Sequence, residues 1–217
     1  MDIKNNTNYM KNLIVFGAGD LGKFIVYNIE MFDSKYNILG FIDEDLNKVG
    51  GELCGLPIFD IDYLRLNKID NLCIVIAMSA PTAKETIYKK LMPYDAEYPN
   101  FISPKSWFSK GVKIGRGVLI YPETSIDFET EIGDFVTINA GCSIGHNVTI
   151  GQFSTLSPGV NLAGFTEIEE KASLGIGCCS IQKIKIGSCS IIGGQAMLTE
   201  DVEPGRTVVG VPAKIIK

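Results

Sequence analysis

The chain has 217 residues, 46% of them hydrophobic and 21% charged, with a formal net charge of −5. That composition is too apolar for a disordered chain and long enough for two compact domains, while the acidic balance and the lack of a basic run argue against a nucleic-acid partner. No apolar run approaches the roughly 20 residues that span a bilayer, and the polar start has no signal-peptide core, so the expectation is a cytoplasmic protein without a membrane partner.

In chain order, residues 1–11 are expected to form a flexible tail, and 12–98 a small Rossmann-like α/β domain. Leu13 to Phe16 is an apolar strand leading into Gly17-Ala18-Gly19-Asp20-Leu21-Gly22. A segment of helical spacing follows, Leu21 to Phe32, and then a second strand, Ile38 to Ile42, that ends on Asp43-Glu44-Asp45. Strand, glycine turn, helix, strand and acid is the order in which helix N-terminal amides face a phosphate and a carboxylate faces a ribose or base. Taken alone, the glycines also fit a tight turn and close packing of helix on strand. A full nicotinamide site would need a second βαβ half, which is missing. A third strand, Leu72 to Ala77, precedes Pro81 at a helix start, with the helix running through Leu91. Residues 99–107 are expected to be the linker.

From Phe108 to Leu198 a large aliphatic or aromatic residue recurs every sixth position, and only Ser180 departs from the series. Four residues after each of these lies a smaller, uncharged residue, such as Val118, Val136, Cys142, Val148 or Cys178. A six-residue period predicts short strands joined by tight corners, the pattern of a parallel β-helix over 108–203, with 204–217 as a C-terminal segment. Three hexapeptides close a coil of 18 residues, so residue n stacks on n+18 at about 4.8 Å, and sixteen hexapeptides give just over five coils. Gly111, Gly117, Gly141, Gly159 and Gly177 share the third position after the large residue, where a positive φ suits glycine, and Asn147 fills the same corner slot. Phe135 and Phe153 differ by 18 and are expected to stack on an exposed corner, as a contact between subunits first and a cosubstrate channel second. Cys142 and Cys178 fall inward, and Cys178 and Cys179 are adjacent rather than spaced for zinc, which favours buried, reduced thiols.

His146 is the only histidine, two positions past Ile144 and therefore at a corner. It is either a solvated turn residue or a base poised for proton transfer near neutral pH. The stacking rule sets Gly164, one coil later, beside it. A base next to an unshielded peptide N–H is an arrangement suited to acyl transfer. A single histidine and no cysteine pair do not make a zinc site, so no metal is expected.

The small domain opening on Gly17-Ala18-Gly19, the segments Ile138-Asn139-Ala140 and Gly145-His146, and the ending Gly210-Val211-Pro212-Ala213-Lys214 together resemble the nucleotide-sugar acetyltransferases, a group that includes bacillosamine and perosamine N-acetyltransferases and sialic-acid O-acetyltransferases. The resemblance covers about residues 12–217. It implies a left-handed β-helix, a homotrimer with active sites between subunits, acetyl-CoA as cosubstrate lying along the coils, and a nucleotide-linked aminosugar of bacterial glycan assembly as acceptor. It further implies His146 as general base, Asn139 near the sugar, Gly164 at the thioester carbonyl, and Gly17, Gly19, Asp20 and Asp43 at the nucleotide. Lys183, Lys185 and Lys214 would meet the CoA phosphates, which agrees with the charge distribution: residues 117–170 hold eight acids and no Lys or Arg, whereas basic residues crowd the C-terminal end.

The sequence departs from the family where an acid usually follows the histidine; here that residue is Asn147. Two readings stay open: Glu129, at 147−18, supplies the orienting carboxylate, or the histidine works without one. A weakened base favours an amine over a hydroxyl acceptor, with O-acetylation as the nearest alternative. Thr155, where some relatives place a second histidine, points to an altered acceptor pocket. A β-helix acyltransferase using acyl carrier protein is disfavoured by the α/β domain in front, and a non-catalytic nucleotide-sugar-binding trimer remains the other alternative.

Overall fold

The computed structural model describes residues 10–32 and 35–217, so most of the expected tail, 1–11, lies outside the described residues. The first domain comprises β1 (Lys11–Phe16), α1 (Asp20–Tyr27), β2 (Tyr36–Ile42), β3 (Glu52–Leu53), β4 (Leu56–Phe59), α2 (Asp62–Leu66), β5 (Leu72–Ile76) and α3 (Pro81–Leu91). Its sheet has the order β3-β4-β2-β1-β5, parallel except for the β3–β4 hairpin. Leu13, Ile14, Val15 and Phe16 are all fully buried because helices and the second domain cover both faces of this central strand, hence its unbroken apolar run. The helix expected to reach Phe32 ends at Tyr27, where Asn28 turns out of α-geometry and its Nδ2 donates to the Phe24 carbonyl at 2.8 Å. The chain continues as a 3₁₀ turn, Ile29–Phe32.

The second domain is a parallel β-helix of two-residue strands on three faces. The first face stacks Phe101–Ile102, Leu119–Ile120, Thr137–Ile138, Thr155–Leu156, Ser173–Leu174, Ile191–Ile192 and Thr207–Val209. The second runs from Trp107–Phe108 to Met197–Leu198, and the third from Lys113–Ile114 to Lys185–Ile186. Register is n to n+18 throughout this stretch, for example Ser125 on Ser143 and Thr137 on Thr155. The eighteen parallel strands make six levels, one more than the hexapeptide series suggests. Two rungs outside the series account for the difference. Phe101–Ile102, within the stretch expected as linker, already pairs with Leu119–Ile120, and Thr207–Val209 pairs with Ile191–Ile192 after a coil shortened to 16 residues. Lys214–Ile215 then folds back antiparallel on that last strand.

The core is the stacked large series: Ile120, Ile138, Leu156, Leu174 and Ile192 are each at most 1% exposed, and side chains from all three faces form one cluster. Ser180 remains inside because its Oγ pairs with Thr166 Oγ1 at 3.0 Å. Cys142 and Cys178 are buried free thiols, and burial pushes them up to about 11 and about 12. Every third corner position from Gly111 to Gln195 has a positive φ whatever its residue; Glu129, Phe135, Asn147, Phe153 and Lys183 lie between +56° and +62°. Each non-glycine there carries strain of about 1–2 kcal/mol, which the ladder bonds on both sides overcome.

The placement of Phe135 and Phe153 corrects the expectation of an exposed corner. Their rings do stack, 5.2 Å apart and 3° from parallel, yet they are 2% and 4% exposed within the chain itself. The first domain covers them: Tyr88 of α3 lies 4.7 Å from the Phe135 ring, and Ile87 and Leu91 belong to the same apolar cluster. Burying each ring contributes about 1.5–3 kcal/mol to docking of the two domains.

Beside this contact Lys84 is buried at 1% exposure. Its Nζ donates to the carbonyls of Phe135 (2.9 Å) and Ser154 (3.0 Å) and to the hydroxyls of Thr155 (2.9 Å) and Thr137 (3.3 Å). Thr155 spends its own proton on the Ser79 carbonyl at 2.8 Å. Three of the four partners can therefore only accept, which matches the three N–H bonds of an ammonium. Burial without a carboxylate pulls the Lys84 pKa down to about 7.

Candidate active site on one edge of the β-helix

The edge between the second and third faces carries a column formed by the second corner residue of each coil: Phe128, His146 and Gly164. His146 follows Ser143–Ile144 and precedes Thr149–Ile150, so the tight corner fixes its backbone and turns its side chain along the outside of the prism. The imidazole lies flat on the Phe128 ring, at 4.9 Å between centroids and 7° between planes. Phe165 meets it edge-on at 5.0 Å and 88°.

Both ring nitrogens have a defined environment. Nδ1 is 3.0 Å from Asn147 Oδ1, and Asn147 Nδ2 donates to Glu129 Oε2 at 2.8 Å. A carboxylate only accepts, so Asn147 must turn its NH₂ to Glu129 and its oxygen to His146. That in turn requires the proton on Nδ1 and leaves the lone pair on Nε2. On the Nε2 side a Cβ at Gly164 would come within 2.7 Å of Nε2, so only glycine leaves the ring its place. Among the described residues no acceptor takes the Gly164 N–H, whereas the next amide, Phe165, is bonded to the His146 carbonyl.

Asn139 sits on a different edge, between the first and second faces. Its Nδ2 donates to the Leu156 carbonyl at 2.8 Å, which leaves its side-chain oxygen without a proton to accept from that bond. A single chain therefore does not bring Asn139 to His146. Nor do the three expected lysines form one patch. Lys183 shares the His146 edge two coils up; Lys185 lies on the third face, paired with Glu169 at 3.0 Å; Lys214 lies in the last antiparallel strand.

At the carboxyl edge of the small sheet the three glycines differ in kind. A Cβ on Gly22 would fall 2.0 Å from the Gly17 carbonyl oxygen, and one on Gly17, at φ +116°, would fall 2.8 Å from that of Ala77, so both permit close packing. Gly19, exposed at the N-terminus of α1, has nothing within 4 Å of such an atom. No side chain caps α1 there. Asp20 lies in that first turn, where a carboxylate suits the helix dipole. Asp43 accepts from the amides of Ala18 (2.8 Å) and Asp45 (2.9 Å) and from Lys48 Nζ (3.0 Å). Burial works against its ionisation, but these donors more than offset it and hold its carboxyl below the usual range. A cleft of about 450 Å³ opens between the loop ahead of α3 and the first face of the β-helix, lined by Ser79, Thr155, Ser157 and Ser173 among others.

Sequence reasoning missed Lys84 and the aromatic bed of His146. Lys84 shares its helix face with Ile87 and Leu91 at spacings of three and four, and that position was the available signal. Phe128 is simply His146 minus 18.

Comparison with known proteins agrees with this architecture. The model of the PglD N-terminal domain matches residues 12–91, and that of the bacterial transferase hexapeptide, six repeats, matches residues 129–164. Among solved structures, WeeI from Acinetobacter baumannii AYE is 27% identical, with 95% of this chain and 100% of that chain covered and a TM-score of 0.87. The acetyltransferase domain of PglB from Neisseria gonorrhoeae FA1090, in complex with acetyl coenzyme A, is 26% identical at the same coverage, with a TM-score of 0.86. PerB from Caulobacter crescentus, in complex with CoA and GDP-perosamine, shares the fold at 24% identity and a TM-score of 0.85, over 95% of this chain and 97% of that one. A redox-sensing transcriptional repressor Rex from Desulforamulus reducens is 33% identical over 76 residues, which are 34% of this chain; the match spans about a third of that protein's length, 36%. The fold and the edge site thus define a hexapeptide-repeat protein with a PglD-type domain in front. Its fold is the left-handed β-helix of the hexapeptide-repeat proteins, joined to a PglD-type N-terminal domain.

Proposed function

We propose that the protein transfers the acetyl group of acetyl-CoA to the amino group of a nucleotide-linked aminosugar, with His146 as general base. The observation that carries this reading is the state of the imidazole: Nδ1 is committed through Asn147 to Glu129, and Nε2 is free against a glycine. The 26% identity to an acetyltransferase domain solved with acetyl coenzyme A supports the cosubstrate.

In the proposed reaction the sugar amine attacks the thioester carbonyl carbon while Nε2 takes the amine proton, and the Gly164 N–H bonds the developing oxyanion. Collapse breaks the carbon–sulfur bond, and the imidazolium returns its proton to the leaving thiolate. The nucleotide is assigned to the first domain, 12–98, with Gly17, Gly19, Asp20 and Asp43 around its phosphates and ribose. Acetyl-CoA is assigned to the β-helix, with Lys183 the best placed of the three lysines. Lys185 is held by Glu169, and the uncharged orienting amide of Asn147 suits an amine acceptor better than a hydroxyl.

Assembly as a homotrimer is part of the proposal. The first face is covered by the α/β domain over Leu119, Thr137 and Thr155. The third presents Lys113, Glu131, Glu167 and Lys185 to solvent. The second, with Ser125, Ser143, Asn161, Cys179 and Met197, is uncharged and is bounded by the His146 edge on one side and the Asn139 edge on the other. Packing on this face would bring Asn139 of one copy toward His146 of the next. A cytoplasmic enzyme of glycan-precursor assembly fits the cosubstrate.

The test is to incubate the purified protein with acetyl-CoA and a panel of nucleotide-linked aminosugars while following free thiol. Acceptor-dependent release that H146A abolishes is expected. No release with any acceptor, from a protein that still binds the nucleotide-sugar, would leave a binding scaffold instead.

A further inference from the structure

The carboxylate that faces the site, Glu129, reaches His146 only through a neutral amide. Among the described residues an imidazolium at position 146 therefore has no anion in direct contact, and its stabilisation has to come in part from elsewhere. The ring face is where the chain supplies it. Phe128 lies parallel to the imidazole at 4.9 Å, inside the roughly 6 Å within which a cation is attracted by the negative face of an aromatic ring. Gly164 occupies the opposite side, and Phe165 closes the edge. The corner that presents Phe128 is pinned: its N–H donates to Asp127 Oδ1 at 2.7 Å, and its carbonyl accepts from the Asn147 N–H at 2.9 Å. The stacked pair is thus built by the 18-residue winding and by the same backbone bond that positions Asn147.

We infer that Phe128 is a positioning residue for the base: its ring holds the imidazole of His146 by the face and stabilises the imidazolium formed during transfer, taking over part of what a neighbouring carboxylate would do. This rests on the reading of His146 as the base. The other charged groups on the packed corners are Glu129 beside Asn147, Asp127 and Lys110 on the coils below, and Lys183 above Phe165; none of them lies between the two rings.

Because His146 is the only histidine in the chain, its ring C–H resonance can be titrated by proton NMR in the intact protein without assignment ambiguity. In F128L the proton-binding constant of His146 should fall by about two- to fivefold, the size of an exposed cation–π contact, and F128Y should restore it. The kcat of F128L should fall by a similar factor with its acid limb moved to lower pH, while KM for acetyl-CoA stays within twofold. An F128L titration that superposes on wild type overturns the proposal. So does a rise in KM for acetyl-CoA at unchanged kcat, which would make Phe128 a wall of the thioester pocket. If H146A retained turnover, the underlying reading would fail instead, and the titration separates that failure from this one.

Discussion

Asn147 donates its side-chain NH₂ to Glu129 one coil below at 2.8 Å, and this single bond decides which nitrogen of the neighbouring imidazole carries the proton. The carboxylate does not touch the histidine; it sets the amide, and the amide sets the tautomer.

Replacing Glu129 with Gln removes that constraint, since a glutamine can either donate or accept and lets Asn147 turn over. The expected outcome is a fall in kcat of roughly tenfold, a fraction of the 10²–10⁴ that a positioned base contributes, with the fold intact because Glu129 is exposed. Steady-state kinetics beside H146A check this: E129Q turning over at the wild-type rate while H146A is dead would mean that Asn147 needs no partner.

Gly164→Ala would set a methyl group 2.7 Å from His146 Nε2. The obstacle is the histidine side chain itself, so the ring moves and the coil stays. Displacing a base by about an ångström costs on the order of a hundredfold in rate. A crystal structure of G164A with an unmoved imidazole, or kcat within threefold of wild type, would contradict this.

The glycines of the first domain should separate packing from ligand access. Gly22→Ala collides with a backbone oxygen at 2.0 Å and is expected to cost about 3 kcal/mol or more of stability. Gly19→Ala meets nothing within 4 Å and should leave the melting temperature unchanged, yet raise KM for the nucleotide-sugar. Equal melting losses in both variants would show that Gly19 serves packing as well.

Lys84 makes stability depend on pH. Its pKa is about 7 in the folded chain against an ordinary value near 10.4, so between these values the unfolded state binds more protons and folding becomes more favourable as pH rises. That contribution is lost as pH falls from about 10.4 toward 7. In K84M the slope disappears, and two carbonyls and a hydroxyl lose their donor, at about 1–3 kcal/mol for each group left buried and unbonded. Chemical denaturation of both proteins at several pH values between 7 and 9.5 gives the comparison; parallel curves would assign the charge-state cost elsewhere.

The repeating part of this molecule is readable because its physics is local and periodic. Ile138 must face inward once Ile120 and Leu156 do, and the corner at Asn147 follows from those at Gly141 and Gly159. The same rule placed Glu129 beside Asn147 and Gly164 beside His146. What it could not supply is contact between residues with no fixed sequence offset. Phe135 and Phe153 were rightly stacked on each other, but their cover comes from Tyr88 on a helix of the other domain. Lys84 looks like one more solvated lysine in a run that also holds Lys89 and Lys90, and only its buried acceptors, 51 to 71 residues away, distinguish it. The rungs at Phe101–Ile102 and Thr207–Val209 escaped because the six-residue beat is broken before the first and after Leu198.

The anchoring of Lys84 to Thr137 and Thr155 also limits how this architecture can grow. His146 is nine residues from each of them, half a coil up from one and half a coil down from the other, so the peg from α3 enters the prism at the height of the imidazole, on another side. Whole 18-residue units added beyond residue 171 would lengthen the column and leave that height untouched. One unit inserted between 137 and 155 would pull the two anchor points a full rung further apart and strand the peg. Past Lys171, which α3 also holds through Glu85 at 3.2 Å, the rungs carry no such lock, and there the column is free to vary in length.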